Sequence, residues 1–153
     1  MKLFTNFSIH TLILVLIASL VTLSACNNPA SSEEEEHPDP VGAVLKMNGQ
    51  EIARYDESGV TGQIEVNAGE ETTLISIFFL ADDGDEFQPD EPELSLNWRD
   101  IDTAVADVEQ HTEDGTWSFH IHGEAQGNTS VVFQLFHDGH SDFDTQPIPV
   151  VVN

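Results

Sequence analysis

Histidines are the side chains of this 153-residue sequence whose type and spacing favour a specific chemistry. Five of the seven fall between positions 111 and 140, where Asp and Glu are also frequent. Imidazole and carboxylate groups are suitable ligands for Zn²⁺, Cu²⁺ or Ni²⁺, and such a site needs no cysteine. The sequence therefore has the ligand types of a transition-metal site, for which zinc or copper is the candidate cofactor.

Two local spacings stand out among these histidines. His120 and His122 flank Ile121, so on a β-strand both imidazoles share one face, roughly 6–7 Å apart at Cα. His137 and His140 flank an Asp-Gly pair in which glycine permits a tight reversal of the chain. Either spacing provides two imidazoles within reach of one ion.

The expected strand pairing indicates which histidines combine. A hairpin of residues 117–122 with residues 130–136 matches their apolar faces and brings the turn before the first strand to the end of the second. This arrangement predicts an end site of His111, His137 and His140 with one carboxylate, and a separate, weaker pair at His120 and His122. The candidate carboxylates are Asp138, Asp142 and Glu113.

Other interpretations of these polar residues stay open. Exposed histidines in an acidic chain also act as solvated surface residues or partial counter-ions without binding a metal. The acidic run Asp82–Glu86 lacks the D-x-D-x-D-G spacing of a calcium loop and is more typical of an Asp-Gly turn. Both a metal-binding and a purely structural role are compatible with the composition.

Composition and motifs exclude several function classes. With 28 acidic and 4 basic residues the formal net charge is −24, which disfavours a nucleic-acid partner. The single cysteine excludes an internal disulfide and a cysteine-based zinc cluster. The sequence also lacks G-x-S-x-G, HExxH and a phosphate-binding loop. We therefore expect a binding module rather than an enzyme.

The elements that position the histidines are predicted to be β-strands. From Val41 onward, short alternating or apolar runs are separated by turn residues, the pattern of a single all-β sandwich over residues 41–153. Trp117, Phe119 and Ile121 are predicted to face the core. The predicted strands are Val41–Met47, Glu51–Asp56, Gly62–Val66, Thr72–Ala81, Leu94–Asn97, Ala104–Glu109, Thr116–His122, Ser130–Phe136 and Ile148–Val152.

The first 25 residues have a short apolar stretch that ends in Leu23-Ser24-Ala25-Cys26, and this segment resembles the signal peptide and lipobox of bacterial lipoproteins. The resemblance implies cleavage before Cys26, acylation of that residue, and a lipid-anchored protein of the bacterial cell envelope. It leaves open whether the protein lies on the periplasmic or the surface side. Residues 26–40 include four consecutive Glu residues and two prolines beside Asp39, which predicts an extended acidic tether.

Several segments of the remaining chain resemble bacterial Ig-like domains. They are residues 69–79, Asp83-Gly84-Asp85, Leu96-Asn97-Trp98, residues 104–108 and residues 127–131. The resemblance implies an Ig-like antiparallel sandwich that serves as a spacer or adhesive module with an unidentified protein partner. Two functions therefore follow from the sequence: a lipid-anchored envelope protein that binds a transition metal, or a structural or adhesive surface module with no metal site.

Overall fold

Twelve β-strands follow one another in the computed structural model of this chain, which describes residues 38–153. Cys26, the predicted signal peptide and most of the predicted tether lie outside the described residues. Residues 38–153 include no helix whose length and hydropathy would suit a membrane crossing. The strands are β1 Gly42–Met47, β2 Gln50–Asp56, β3 Gly59–Gly62, β4 Ile64–Val66, β5 Ile75–Leu80, β6 Glu86–Phe87, β7 Leu94–Arg99, β8 Ala106–Glu109, β9 Ser118–Gly123, β10 Gly127–His137, β11 His140–Asp144 and β12 Ile148–Val152.

The first sheet has seven strands in the order β3-β2-β1-β5-β9-β8, with the short β6 paired to β5. All of its pairings are antiparallel. The apolar strand β5 lies near the centre, between β1 and β9, as its continuous run of large side chains requires. The acidic run before β6 is an Asp-Gly turn, as predicted, in which the Asp83 carboxylate accepts a hydrogen bond from the Asp85 amide.

The second sheet has five strands and is built around the long strand β10, which pairs with β7, β11 and β12. The last strand, β12, also pairs in parallel with β4, so this sheet is mixed rather than purely antiparallel. Residues 62–66, predicted as one strand, divide between the sheets because Gly62 has a φ of +77° and turns the chain. A Cβ at Gly62 would lie 2.2 Å from the Ile52 carbonyl oxygen, so only glycine fits this corner.

The two sheets pack as a sandwich around one apolar core, which confirms the predicted all-β fold class. Phe119 of β9 and Phe133 of β10 meet across the interface with ring centroids 4.5 Å apart. Trp117, Phe119 and Ile121 are buried, as their alternation predicted. The Trp117 indole satisfies its own N–H by donating to the Pro89 carbonyl at 2.8 Å.

The predicted hairpin between residues 117–122 and 130–136 is wrong. Strand β9 belongs to the seven-stranded sheet and β10 to the five-stranded sheet, so the chain changes sheets between them. Alternation correctly identified the inward faces of both strands. It does not distinguish a neighbour in the same sheet from a partner in the opposite sheet, because both arrangements bury the same side chains.

Candidate metal sites

The first candidate site lies on the outer face of the seven-stranded sheet, along the edge where β8 pairs with β9. His120 lies opposite Glu109 in this pairing, and His122 lies opposite Asp107. Residues directly opposite one another in an antiparallel pair project to the same side of the sheet. The face therefore carries alternating imidazole and carboxylate groups.

A segment that precedes β5 brings a further carboxylate to this face. The Thr72 amide donates to the Ile121 carbonyl at 3.0 Å, and the Ile121 amide donates to the Thr72 hydroxyl at 3.0 Å. These bonds extend the pairing beside β9 and place Glu71 opposite His122. The Glu71 carboxylate then approaches His120, with 2.9 Å between Oε1 and Nδ1.

A tight turn after β8 supplies the other imidazole. The Asp114 carboxylate accepts a hydrogen bond from the His111 amide at 2.7 Å, and the Asp114 amide donates to the His111 carbonyl at 3.0 Å. The Gln110 side-chain amide holds the following loop by donating to three carbonyls, those of Gly115, Thr116 and Ser118. The turn is thus held in place mainly by hydrogen bonds between the Asp114 and Gln110 side chains and the backbone.

These elements assemble Glu71, His111 and His120, which we call the sheet-face grouping. Each residue offers one donor atom, and the three atoms lie within 4.8 Å of one another. His111 Nε2 lies 3.9 Å from Glu71 Oε1, and the two imidazole rings are 5.5 Å apart at their centroids. The His120 side chain is 15% exposed and that of His111 is 45% exposed, so an ion could reach the grouping from solvent.

The charge state of His120 reflects its acceptors. Partial burial disfavours the imidazolium, but the Thr72 carbonyl and the carboxylates of Glu71 and Asp114 outweigh it and raise the pKa of His120. The surroundings of the ring therefore stabilise positive charge. A bound cation would benefit from the same carboxylates.

The second candidate site is at the tip of the β10–β11 hairpin. Asp138 and Gly139 both have positive φ angles, 45° and 90°, the signature of a two-residue type I′ turn. His137 and His140 flank this turn as directly opposed partners. Asp142 lies at an irregularity of this pairing, between Ser141 opposite Phe136 and Phe143 opposite Leu135, and its carboxylate reaches both imidazoles. We call His137, His140 and Asp142 the hairpin grouping.

The Asp142 carboxylate lies between the two imidazoles. Its Oδ1 is 2.8 Å from His140 Nε2, and its Oδ2 is 3.5 Å from His137 Nδ1. The His140 side chain is 62% exposed, so this grouping is more open than the sheet-face grouping. One donor atom from each residue again lies within 4.8 Å of the others.

The base of this hairpin is fixed by Asp144. Its carboxylate accepts hydrogen bonds from Arg99 and Gln134, each at 2.8 Å, and from the Ser141 hydroxyl. Burial opposes ionisation, but these donors together lower the pKa of Asp144. Asp144 therefore supports β11 and is engaged away from the hairpin grouping.

The structure combines the predicted residues differently from the expected end site. His111 joins His120 rather than His137 and His140, because β8 and β9 belong to one sheet and β10 and β11 to the other. His122 falls outside both groupings and lies 4.0 Å from Glu124.

Of the three carboxylates predicted for the end site, one belongs to a grouping and two do not. Asp142 belongs to the hairpin grouping, whereas Asp138 is 80% exposed and 3.6 Å from His137 Nε2. Glu113 accepts a hydrogen bond from the Thr112 hydroxyl and belongs to neither grouping.

Glu71 is the member of the sheet-face grouping that sequence reasoning missed. It lies in a short stretch before β5 whose pairing with β9 is a single bridge, and its sequence separation from His120 gave no local signal. The turn that carries His111 did have a sequence signal. Asp114 stands three positions after His111 and directly before a glycine, which is typical of a tight turn.

The two groupings consist of imidazole and carboxylate donors, which suit borderline divalent cations such as zinc and copper. Both are accessible to solvent, and either could bind a metal ion. No protein-family model and no curated protein matches this chain.

Proposed function

We propose that this protein is a lipid-anchored protein of the bacterial cell envelope that binds a transition-metal ion, zinc or copper, on its β-sandwich domain. The observation that carries the proposal is the convergence of imidazole and carboxylate donors within 4.8 Å in each of two exposed groupings. The chemistry is capture: donor atoms replace water on the ion without any covalent step. We propose a binding role rather than a catalytic one.

The surface charge supports cation capture. Lys46, Arg54 and Arg99, the basic side chains among residues 38–153, each form an ion pair with a carboxylate. The many remaining carboxylates give the domain a negative potential, which raises the local concentration of cations and speeds their association.

Calorimetric titration of the purified protein with zinc tests the proposal. We expect saturable uptake of two equivalents with dissociation constants near or below about 1–10 µM, as sites with two imidazoles and a carboxylate allow. The pair His111→Ala/His120→Ala should remove one equivalent, and His137→Ala/His140→Ala should remove the other.

His122→Ala is the matched control, because His122 is a half-buried histidine of the same sheet outside both groupings. It should retain both equivalents. An absence of saturable uptake of both zinc and copper(II) in this range would contradict metal binding as the function.

The proposed envelope location is carried by the lipobox resemblance around Cys26. Cys26→Ala should abolish fatty-acid labelling of the protein in a bacterial host and release it from the membrane fraction, since the acylated thiol is the anchor. Ser24→Ala keeps a small residue before the cysteine and should remain labelled. Labelling of the Cys26→Ala protein would contradict the anchor.

The alternative function is that of a structural or adhesive Ig-like surface module. The two-sheet sandwich with a filled core is compatible with that role. The zinc titration separates the two functions, because an adhesive module with incidental histidines takes up no stoichiometric metal.

A further inference from the structure

Strand β7 forms one edge of the five-stranded sheet. It pairs with β10 without a register shift, from Leu94 opposite His137 to Arg99 opposite Val132. Among residues 38–153, no strand pairs with the other side of β7. An unpaired strand edge presents a row of backbone N–H and C=O groups along which a further strand can form.

The other edge strands of the described domain are short, charged or irregular. β3 and β8 have four residues each, and β4 has three. β8 also carries Asp107 and Glu109, and the Asp107 carboxylate accepts a hydrogen bond from the Val108 amide at 2.9 Å. The pairing of β11 with β10 has a register shift. Positions 94–98 of β7 have none of these features, so β7 is the edge least protected against pairing with another strand.

The hydrogen bonds of Phe133 indicate which backbone groups of β7 point outward. The Phe133 amide donates to the Thr145 hydroxyl at 3.0 Å, and the Phe133 carbonyl accepts from the Thr145 amide at 2.9 Å, so both groups face away from β7. Backbone direction alternates along a paired strand. The even-numbered residues of β10 therefore bond to β7, and their partners include Ser95 and Asn97.

The residues of β7 that alternate with these partners direct their N–H and C=O groups to the free edge. The Leu94 amide is one of these groups and is already satisfied, since it donates to the Glu91 carbonyl at 3.1 Å. Asp100, with a φ of +62°, ends the strand on the other side. Between these two ends, Leu96 and Trp98 present a pair of N–H and a pair of C=O groups to a partner strand.

We infer that β7 pairs with β7 of a second copy of this chain, antiparallel about a two-fold axis at Asn97. In this register the Leu96 amide of one copy donates to the Trp98 carbonyl of the other, and the Trp98 amide donates to the Leu96 carbonyl. The two-fold axis repeats both bonds, so every outward donor of Leu96 and Trp98 meets an acceptor. The sheets of the two copies then form one continuous sheet.

The side chains of β7 are complementary to those of a second copy. Leu96 and Trp98 of opposite copies lie side by side on the core face, where Trp98 is only partly buried within one copy. On the outer face, Glu93 of one copy is a diagonal neighbour of Arg99 of the other, within reach of long side chains. Arg99 is 47% exposed, and its guanidinium has donors beyond those that bind Asp144. The edge therefore fits a second copy in hydrogen bonding, apolar contact and charge.

Cysteine cross-linking tests the register in a Cys26→Ala background, which removes the single native cysteine. Asn97 lies opposite itself as a non-hydrogen-bonded pair with Cα atoms about 4.5 Å apart, which suits a disulfide. In a glutathione redox buffer with a chelator, Asn97→Cys should form at least about 10-fold more disulfide-linked dimer than Ser95→Cys, because the two Ser95 positions are offset by about 13–14 Å along the strands. Thr61→Cys, on the exposed edge strand β3, measures cross-linking by random collision.

Sedimentation of the Cys26→Ala protein with a chelator tests association without a cross-link. We expect a dimer whose fraction rises with protein concentration. Asn97→Asp sets two carboxylates opposite one another at the axis and should weaken association at least about 10-fold. Asn128→Asp is the matched control, because Asn128 is exposed in the same sheet and its substitution makes the same change in charge away from β7.

The pairing does not depend on the proposed metal sites, since a chelator is present in both experiments. Cross-linking of Asn97→Cys no greater than that of Ser95→Cys or Thr61→Cys would overturn the register. A protein that stays monomeric up to about 1 mM, or association weakened equally by Asn97→Asp and Asn128→Asp, would overturn pairing through β7.

Discussion

Replacement of Phe119 by alanine is expected to lower the free energy of unfolding by about 3–5 kcal/mol. The Phe119 side chain is fully buried and contacts the Phe133 ring of the opposite sheet at 4.5 Å between centroids. Alanine would leave a cavity at the interface of the two sheets, where the backbone of both is held by strand pairing and cannot close the gap. This loss is a large part of the 5–15 kcal/mol that typically stabilises a domain.

Urea denaturation measures this effect as a lower midpoint with an unchanged slope. Leu74→Ala is the control. Leu74 is 39% exposed and directly precedes β5, the strand that pairs with β9, so its replacement should cost less than about 1 kcal/mol. Phe119→Leu should fall between the two, since it fills part of the cavity. A Phe119→Ala protein as stable as the Leu74→Ala protein would contradict the described packing between the sheets.

Zinc is expected to stabilise the fold mainly through the sheet-face grouping. Its residues come from the segment before β5, the turn after β8 and β9 itself, and Glu71 and His120 are 120 − 71 = 49 positions apart. An unfolded chain does not hold these residues together, so the ion binds only the native state. Free zinc at 100 times the dissociation constant then adds about 2.7 kcal/mol to the free energy of unfolding.

The hairpin grouping should contribute less, because its three residues lie between positions 137 and 142. An unfolded segment this short can still bind the ion, and binding to the unfolded state reduces the gain in stability.

Urea denaturation with zinc and with a chelator measures the difference. The pair His111→Ala/His120→Ala should lose most of the zinc-dependent gain, whereas His137→Ala/His140→Ala should retain most of it. His122→Ala serves again as the control and should keep the whole gain. The reverse order for the two pairs would show that the hairpin, rather than the sheet face, links metal binding to folding.

Local sequence patterns predicted the parts of the fold that depend on neighbouring residues. The alternation of Trp117, Phe119 and Ile121 correctly identified a buried face, and the continuous apolar run around β5 correctly indicated a central strand. The short strands β3, β6 and β11 were missed, since pairing to longer neighbours rather than their own composition makes them strands.

The same distinction applies to the candidate sites. His137, His140 and Asp142, three of the residues predicted for the end site, lie together because one tight turn, built on Gly139, joins their strands. His111 was assigned to the wrong partners because its neighbours depend on which strand lies beside β9. Glu71 reaches His120 only through a non-local bridge beside β9.

By itself, the sequence determined the all-β class, the inward faces of the strands, the acidity of the surface and the presence of imidazole and carboxylate donors. These properties follow from side-chain type and from a two-residue period, which act over a few positions of chain. Only the tertiary structure decided that β9 and β10 lie in different sheets and that His120 faces Glu71, His111 and Asp114. Strand order depends on how whole apolar faces pack against one another, and many pairings bury the same residues equally well.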